Sequence, residues 1–349
     1  MNILITGGAG YIGSHAAIEL AKQNNVVIID NLMSSNIETI QRIRDISGKP
    51  IKFIHDDIRN TGSLVNHLKD NKTEIVMHFA GLKSIRKSFQ FQKLYNDINV
   101  NGTLSLINAM KDAGIFKLTF SSSATVYKSQ SHPFKEIDPV GSDLTPYGTT
   151  KFEAEQAIVE AANKDQRWKI AILRYFNPGG AHHSGLHGEQ FNSDSENLIP
   201  RIAMAALSGT PITIYGDTYP TKDGTPERDY IHIEDLINGH ICAINEIIKN
   251  NKSINIWNLG TGNTHTVLEV INEFENTSGI KIKREILPPR KGDLATVRAD
   301  SSKALTDMNW HAKYGLREII KDTWRWIYLC HYTKTRTHPV PCAILNINP

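Results

Sequence analysis

Tyr147 and Lys151 stand four residues apart in the segment Tyr147-Gly148-Thr149-Thr150-Lys151, a spacing that puts both side chains on one face of a helix. Pro146 just ahead, and Phe152-Glu153-Ala154-Glu155-Gln156-Ala157 behind, predict that helix. A free tyrosine has a pKa near ~10 and is a poor base at neutral pH. An ammonium one turn away favours the phenolate, so the pair is expected to lower that pKa and make proton transfer at pH 7 feasible. Such pairs are also common on solvated helices, and the chemistry therefore depends on what the rest of the chain sets beside this one.

A partner for that chemistry is legible at the N-terminus. Asn2-Ile-Leu-Ile-Thr6 is a β-branched run that breaks into Gly7-Gly8-Ala9-Gly10-Tyr11-Ile12-Gly13, and a helical pattern follows through Lys22. Strand, glycine turn and helix in that order are the context of a dinucleotide fingerprint, here spaced G-x-x-G-x-x-G. Gly7 serves the tight turn, Gly10 the approach of a pyrophosphate, and Gly13 the packing of helix on strand, with the helix N-terminus facing the phosphates. A second strand, Val26 to Ile29, ends in Asp30, an acid placed to hold the adenosine ribose and to repel a 2′-phosphate. NAD is favoured over NADP.

The elements that must position these groups follow a steady alternation. Strands are expected at Ile51–His55, Glu74–Phe79, Lys117–Phe120 and Lys169–Tyr175, with a long helical segment near 93–113. The pattern predicts an α/β fold, a doubly wound parallel (Rossmann) sheet with a smaller mixed α/β substrate-binding lobe. Ligands of such sheets bind beyond the carboxyl ends of the strands, where Asp57, Gly81, Ser123 and Phe176-Asn177 fall. The expected division is an NAD-binding domain at 1–177 with a returning segment near 228–260, a mostly substrate-binding lobe at 178–330, and a tail at 331–349 with no assigned function. The Gly179-to-Glu196 stretch is polar and irregular. Its His182, His183 and His187 have no carboxylate at ligand spacing and read as loop histidines, so no metal is expected. Pro288 to Asp293 reads as a rigid, charged loop suited to a phosphate or ribose.

Composition narrows the class. A net charge of +3 with 21% charged and 40% hydrophobic residues suits a globular protein and gives no footprint for nucleic acid. No apolar run approaches the ~18 residues of a membrane span. Three scattered cysteines, Cys242, Cys330 and Cys342, make neither a disulfide framework nor a zinc site. A cytoplasmic, reduced protein is expected.

With these residues in hand, the chain resembles the extended short-chain dehydrogenase/reductases, and within them the UDP-glucose (UDP-galactose) 4-epimerases. The resemblance runs from Asn2 to about Trp326 through Thr6–His15, Asp30-Asn31-Leu32, His78 to Lys83, Asn99 to Thr103, Ser121–Tyr127, Tyr147–Lys151, Arg174–Pro178, Arg228–His232 and Gly292-Asp293. It implies hydride transfer from C4 of a UDP-sugar to bound NAD, with Tyr147 as base, Lys151 tuning it and holding the nicotinamide ribose, and Ser123 shuttling the proton. On the cofactor side it implies Gly7, Gly10, Tyr11, Ile12 and Gly13 at the pyrophosphate. Asp30, Asn31 and Ser35 would take the adenosine ribose, and Asp57 and Ile58 the adenine. Phe79, Ala80, Gly81, Lys83, Asn99 and Phe176 would take the rest of the cofactor. For the substrate it implies Lys83, Thr125, Asn177, Asn197, Leu198, Tyr215, Arg228, Arg290, Asp293 and Val297, beside the catalytic three. The two arginines would hold the diphosphate and Asp293 the uridine ribose. A homodimer pairing the helices near 93–113 and 147–163 is also implied.

Two departures stand out. Lys128 replaces the glycine usual after Val126-Tyr127 and reads as a loop side chain reaching solvent. Val297 stands where forms restricted to UDP-glucose and UDP-galactose carry a tyrosine, which extends the expectation to UDP-GlcNAc and UDP-GalNAc. Two rivals share the fold. A 4,6-dehydratase needs an acidic pair where this chain has Ser123-Ala124-Thr125, and a non-catalytic NAD(H) sensor typically lacks the tyrosine–lysine pair.

Overall fold

The computed structural model describes residues 1–130, 132–191, 196–290 and 292–335. Two compact units divide them: Met1–Phe176 with Leu236–Gly260 and Ala299–His311, and Asn177–Asp235 with Thr261–Arg298 and the chain from Ala312 on.

In chain order the first stretch runs β1 (Asn2–Thr6), α1 (Tyr11–Ala21), β2 (Asn25–Asp30), α2 (Glu38–Ser47), β3 (Lys52–His55), α3 (Thr61–Asp70), β4 (Ile75–His78), α4 (Ile85–Gln90) and α5 (Gln92–Tyr95). A π-helical turn (Asn96–Asn101), α6 (Gly102–Ala113), β5 (Lys117–Ser123), α7 (Pro146–Lys164) and β6 (Lys169–Tyr175) follow. With β10 (Ile254–Leu259) these strands make a seven-stranded sheet in the order β10-β6-β5-β4-β1-β2-β3, every pair parallel. The order reverses between β1 and β4, the switch point at which an open α/β sheet leaves a crevice. Strands buried on both faces read as apolar runs: Leu4, Val76, Leu118, Phe120, Ile170 and Ile172 join Leu106, Met110 and Ile158 from the covering helices, and Trp168 from the segment before β6, in one core. Ser121 to Ser123 belong to β5 itself, three residues beyond the apolar run that marks it in the sequence, because they pair in register with Leu173 to Tyr175.

The second unit is built from β7 (Asn177–Gly179), α8 (Leu198–Ser208), β8 (Ile212–Tyr215), β9 (Glu227–His232), β11 (Thr264–Thr266), α10 (Val267–Ser278), β12 (Arg284–Leu287), β13 (Thr296–Val297) and α12 (Leu316–Thr335). Helices α9 (Ile233–Lys249) and α11 (Ser302–Met308) precede and follow the segments that lead into and out of it. Its sheets are small: β9 carries β11, β13 and β7, and β12 lies parallel to β8. The core gathers Ile199, Ile202, Ile214, Ile271, Phe274, Ile319 and Trp324. Helix α12 runs past Cys330, beyond the point where its periodicity fades in the sequence. The tail beyond 335, with Cys342, lies outside the described residues. No helix among them is long and apolar enough to cross a membrane.

Candidate active site

Thr145 starts α7 as its N-cap, its hydroxyl accepting from Gly148 N at 3.1 Å, and Pro146 takes the first turn. That start fixes Tyr147, whose own amide donates to Ser88 Oγ at 3.1 Å. Tyr147 and Lys151 are both buried. The Tyr147 hydroxyl is pushed up to about 12 by burial, opposed by a hydrogen bond with Ser123 and reinforced by Tyr95. This differs from the expectation drawn from spacing. The Lys151 ammonium lies 2.8 Å from the Ser121 carbonyl oxygen and 5.0 Å from the centre of the Phe120 ring. It is held down to about 8 by burial against the Glu155 carboxylate, which raises it. A helix turn brings the two residues to one face, but desolvation sets their protonation and keeps the phenol neutral.

Ser123 closes β5 and accepts from Thr125 Oγ1 at 3.0 Å. Under it lies a buried ion pair, Arg174 Nη2 to Glu155 Oε2 at 2.7 Å, to which Ser122 also donates. The Arg174 guanidinium stacks 4.8 Å from the Tyr127 ring, whose hydroxyl donates to Asn258 Oδ1 at 2.6 Å. Lys128, next in sequence, is exposed.

The residues expected to hold the dinucleotide line the carboxyl edge of the same sheet. Gly7 has φ +69°, and a Cβ there would lie 2.5 Å from Ala80 N; one on Gly13 would lie 2.4 Å from Gly7 O. Both positions exclude side chains, the cradle a pyrophosphate needs, and α1 starts with no side-chain cap. Asp30 accepts from Ala9 N (3.0 Å), Leu32 N (2.9 Å) and Ser35 Oγ (2.8 Å), so the acid also shapes its own turn. Asn31 Nδ2 donates to Asp57 at 2.7 Å. Arg59 grips Asp57 and reaches Asp97 at 2.6 Å, which holds the Asp57 carboxyl well below the usual range. Ile58 packs against Gly102, where a Cβ would meet it at 2.6 Å. Phe79 N donates to Thr6 O at 3.0 Å. Lys83 Nζ sits 6.0 Å from the centre of the Tyr11 ring. Phe176 N donates to Leu259 O at 3.4 Å.

Asn99 shows what the sequence conceals. It lies in the π-helical turn, where such irregularities mark functional positions. Its carbonyl accepts from Leu82 N (2.8 Å), while its amide donates to Leu82 O and Thr150 Oγ1 (3.0 Å each). Gly81, at φ +157°, lies so close that a Cβ there would come within 3.0 Å of the Asn99 side-chain oxygen. Buried His78 joins Thr6 (2.8 Å) to Thr103 (3.0 Å) and is pushed down to about 3 by burial. Ser88 and Arg59 carry no motif and Thr145 was not singled out as a cap, whereas Pro146 was readable as a helix start.

In the second unit, Arg228 pairs with Asp293 and donates to Leu294 O at 2.9 Å. Val297 is half-buried and stands opposite Arg228 in register. The Arg290 guanidinium stacks 3.9 Å over the Tyr215 ring. Asn177 Nδ2 donates to Asp229 O (3.1 Å), and Asn197 stands at the N-cap position of α8 ahead of Leu198 but makes no capping bond, its Nδ2 donating to Glu189 Oε1 at 3.1 Å. Asp293 therefore partners Arg228 directly, a contact not foreseen when one was matched to ribose and the other to diphosphate. His183 finds a carboxylate 51 residues away, its Nδ1 lying 2.9 Å from Glu234 Oε1. With His182 these make the one group of three among the described residues with metal-ligating atoms within 4.8 Å of one another, so the fold supplies the carboxylate that local spacing lacked.

The NAD dependent epimerase/dehydratase family model matches residues 3–260, and the chain belongs to that family. It is 44% identical over 329 residues to a UDP-glucose 4-epimerase of Pasteurella multocida (strain Pm70), spanning 93% of this chain and 97% of that protein. A solved UDP-glucose-4-epimerase from Stenotrophomonas maltophila, with bound NAD and formylated UDP-arabinopyranose, superimposes with a TM-score of 0.92 at 42% identity, covering 95% of this chain and 99% of that one. The UDP-Glc/GlcNAc 4-epimerase from Campylobacter jejuni gives 0.81 at 32%, covering 94% and 99%.

Proposed function

We propose that this chain interconverts UDP-glucose and UDP-galactose through a 4-keto sugar. The observation that carries the reading is the placement of Ser123, Tyr147 and Lys151 at the carboxyl edge of a sheet that also bears the glycine turn and Asp30. Bound NAD takes the C4 hydride and returns it to the opposite face. Tyr147 takes the C4 hydroxyl proton in the first half-reaction and gives it back in the second, with Ser123 bonded to the same oxygen. A cation beside Tyr147 is needed to bring its pKa down from about 12, and oxidised nicotinamide carries one. Lys151 holds the nicotinamide ribose, Asp30 with Ser35 the adenosine ribose, and Asp57 with Ile58 the adenine. Arg228 and Arg290 take the diphosphate and Asp293 the uridine ribose.

The assay is incubation with UDP-galactose and no added NAD, followed by product analysis. UDP-glucose is expected, with Tyr147→Phe lowering kcat by about a thousandfold, the loss typical of a general base. A 4-keto-6-deoxy sugar would assign a dehydratase, and an unchanged substrate a sensor.

Val297 favours a wider substrate range, since valine is smaller than the tyrosine it replaces. UDP-GlcNAc is then a substrate as well, and Val297→Tyr abolishes that turnover alone. No conversion of UDP-GlcNAc by a preparation active on UDP-glucose refutes it. A second copy of the chain would cover exposed Phe89, Phe91, Leu94 and Leu104, on or beside α4–α6. Light scattering with Leu104→Glu tests that pairing: a native monomer counts against it, and a dimer that dissociates in the variant supports it.

A further inference from the structure

We propose that His182, His183 and Glu234 form a binding site for a divalent transition-metal ion of the zinc class, which ties the loop after β7 to the first turn of α9. The reaction proposed above uses none of the three, and all lie in the second unit.

The backbone delivers the ligands. Strands β7 and β9 run parallel, with Gly179 opposite His232 at their ends. Past β7 the chain turns at Gly180, whose φ is +94° and whose Cβ would lie 2.7 Å from His232 Nε2; His182 and His183 follow. Past β9 the chain enters α9 at once, and Glu234 falls in its first turn. Two neighbouring strand ends therefore bring one ring nitrogen from each histidine and a Glu234 oxygen within 4.8 Å of one another. Three further contacts hold the set. Ser184 Oγ lies 2.8 Å from His182 Nδ1, Arg325 Nη1 donates to His183 O at 2.6 Å, and His183 N donates to Glu234 Oε1 at 2.9 Å. His182 is buried, whereas the His183 side chain is 64% exposed, which gives an ion both an inner wall and a way in.

Donor chemistry points to the ion. Two imidazoles and one carboxylate suit zinc held by three protein ligands, with a fourth position for water. His183 Nδ1 already lies 2.9 Å from Glu234 Oε1, joined through a proton that a metal can replace. Ligands about 2.1 Å from a tetrahedral ion stand about 3.4 Å apart, so this pair opens by only about half an ångström, and on an exposed side chain. Nδ1 then gives its lone pair to the metal while the imidazole keeps a proton on Nε2 and stays neutral. Simpler accounts explain parts of the arrangement. A carboxylate in the first turn of a helix suits the macrodipole, and a histidine beside it makes an ordinary surface pair. Neither explains why a second imidazole, that of His182, packs with its centre 4.2 Å from the first, where two protonated rings repel and one shared cation does not. Of the neighbouring charges, Arg325 is offset by Asp322, 3.8 Å away, and Asp322 also lies 3.4 Å from His232 Nε2.

The test takes the full chain, treated with EDTA and exchanged, and titrates it with Zn(II) against a chromophoric chelator, then with Co(II), whose visible bands are strong only with fewer than six ligands. Wild type is expected to bind one ion per chain more than either His183→Gln or Glu234→Gln, and to show those bands. An outer-shell contact to a metal is worth about 10–100-fold in affinity, so removing a ligand weakens this site by about a hundredfold or more. Zn(II) also raises the melting temperature of wild type, because it binds the folded chain more tightly, and leaves that of the two variants unmoved. His265→Gln is the control: His265 Nδ1 lies 3.8 Å from Glu269, a histidine–carboxylate pair of the same unit, and its loss leaves binding intact. No ion on wild type, or equal affinity in wild type and the two ligand variants, overturns the proposal, any ion then being adventitious. So does binding that His265→Gln abolishes. Binding and melting are the only readouts, so the result does not depend on the reaction assigned to the chain.

Discussion

Glu155→Gln removes one charge from a pair in which both side chains are almost fully buried, 2% exposed for Glu155 and 4% for Arg174. Of the two bonds from Arg174 to the carboxylate, at 3.0 and 2.7 Å, the amide oxygen can keep only one, and Arg174 stays charged in a dry site without its counter-charge, because burial cannot neutralise a guanidinium held above its ordinary range. Stranding one member of a buried pair costs about 3–5 kcal/mol. At roughly 2–4 °C per kcal/mol, the melting temperature of the first unit falls by about 6–20 °C. A second effect has its own sign. The Glu155 carboxylate raises Lys151 from below, so neutralising it lowers Lys151 further beneath about 8 and moves the alkaline limb of activity down. Calorimetry and a pH-rate profile on one preparation read both. The double variant Glu155→Leu/Arg174→Met discriminates, since replacing both charges by apolar groups recovers most of the stability but not the Lys151 shift. A single variant within about 1 kcal/mol of wild type, or a double variant less stable than the single, would refute the account of this pair.

Other outcomes follow from single contacts. Gly7→Ala puts a methyl 2.5 Å from Ala80 N at a positive φ, so cofactor should be lost, as absorbance of the denatured protein's supernatant will show. Thr145→Ala removes the α7 cap at a cost of about 1 kcal/mol; urea midpoints measure it, and kcat should fall as well because Tyr147 sits in that first turn. His78 and His240 are both held down to about 3, whereas the unfolded chain protonates them near ~6.5. Between those values the unfolded state binds the extra protons, so the contribution is whole above pH 6.5 and is lost on acidification, about 2 kcal/mol per histidine by pH 5. Urea titrations at pH 7 and 5 check this, and His240→Gln should remove half of the dependence.

What the sequence disclosed was whatever local pattern dictates. Short apolar runs, the glycine turn and the Asp30 strand end are short-range signals, and β1 to β6 follow them closely. The long helix near 93–113 was legible only as helix. Nothing in Asn96-Asp97-Ile98-Asn99 announces a π turn, because that turn exists to carry Asn99 onto the Leu82 backbone and Thr150, partners from two other elements. Ser88, His240 and Glu234 were hidden for the same reason, each acting across 50 or more residues. Charge state was the least legible of all. Spacing reports that Lys151 is one turn from Tyr147, but the direction of its Nζ and the desolvation of both belong to tertiary structure.

That last gap bears on how the pair can work. With Tyr147 near 12 and Lys151 near 8, the chain by itself keeps the tyrosine protonated and the lysine mostly charged at neutral pH. A phenolate then forms only when further positive charge enters the same dry site, where attraction is weakly screened. On the proposed reading, Tyr147 becomes a base when the neighbouring nicotinamide is oxidised, and it recovers a high pKa once that positive charge is consumed. A high intrinsic pKa is therefore useful: Tyr147 holds the proton it has taken for as long as the sugar is a ketone, and releases it when the return of hydride restores the cation beside it. Burial of the tyrosine and the anchoring of Lys151 serve one end, since a solvated pair at the same spacing would exchange its proton with water before the sugar had turned.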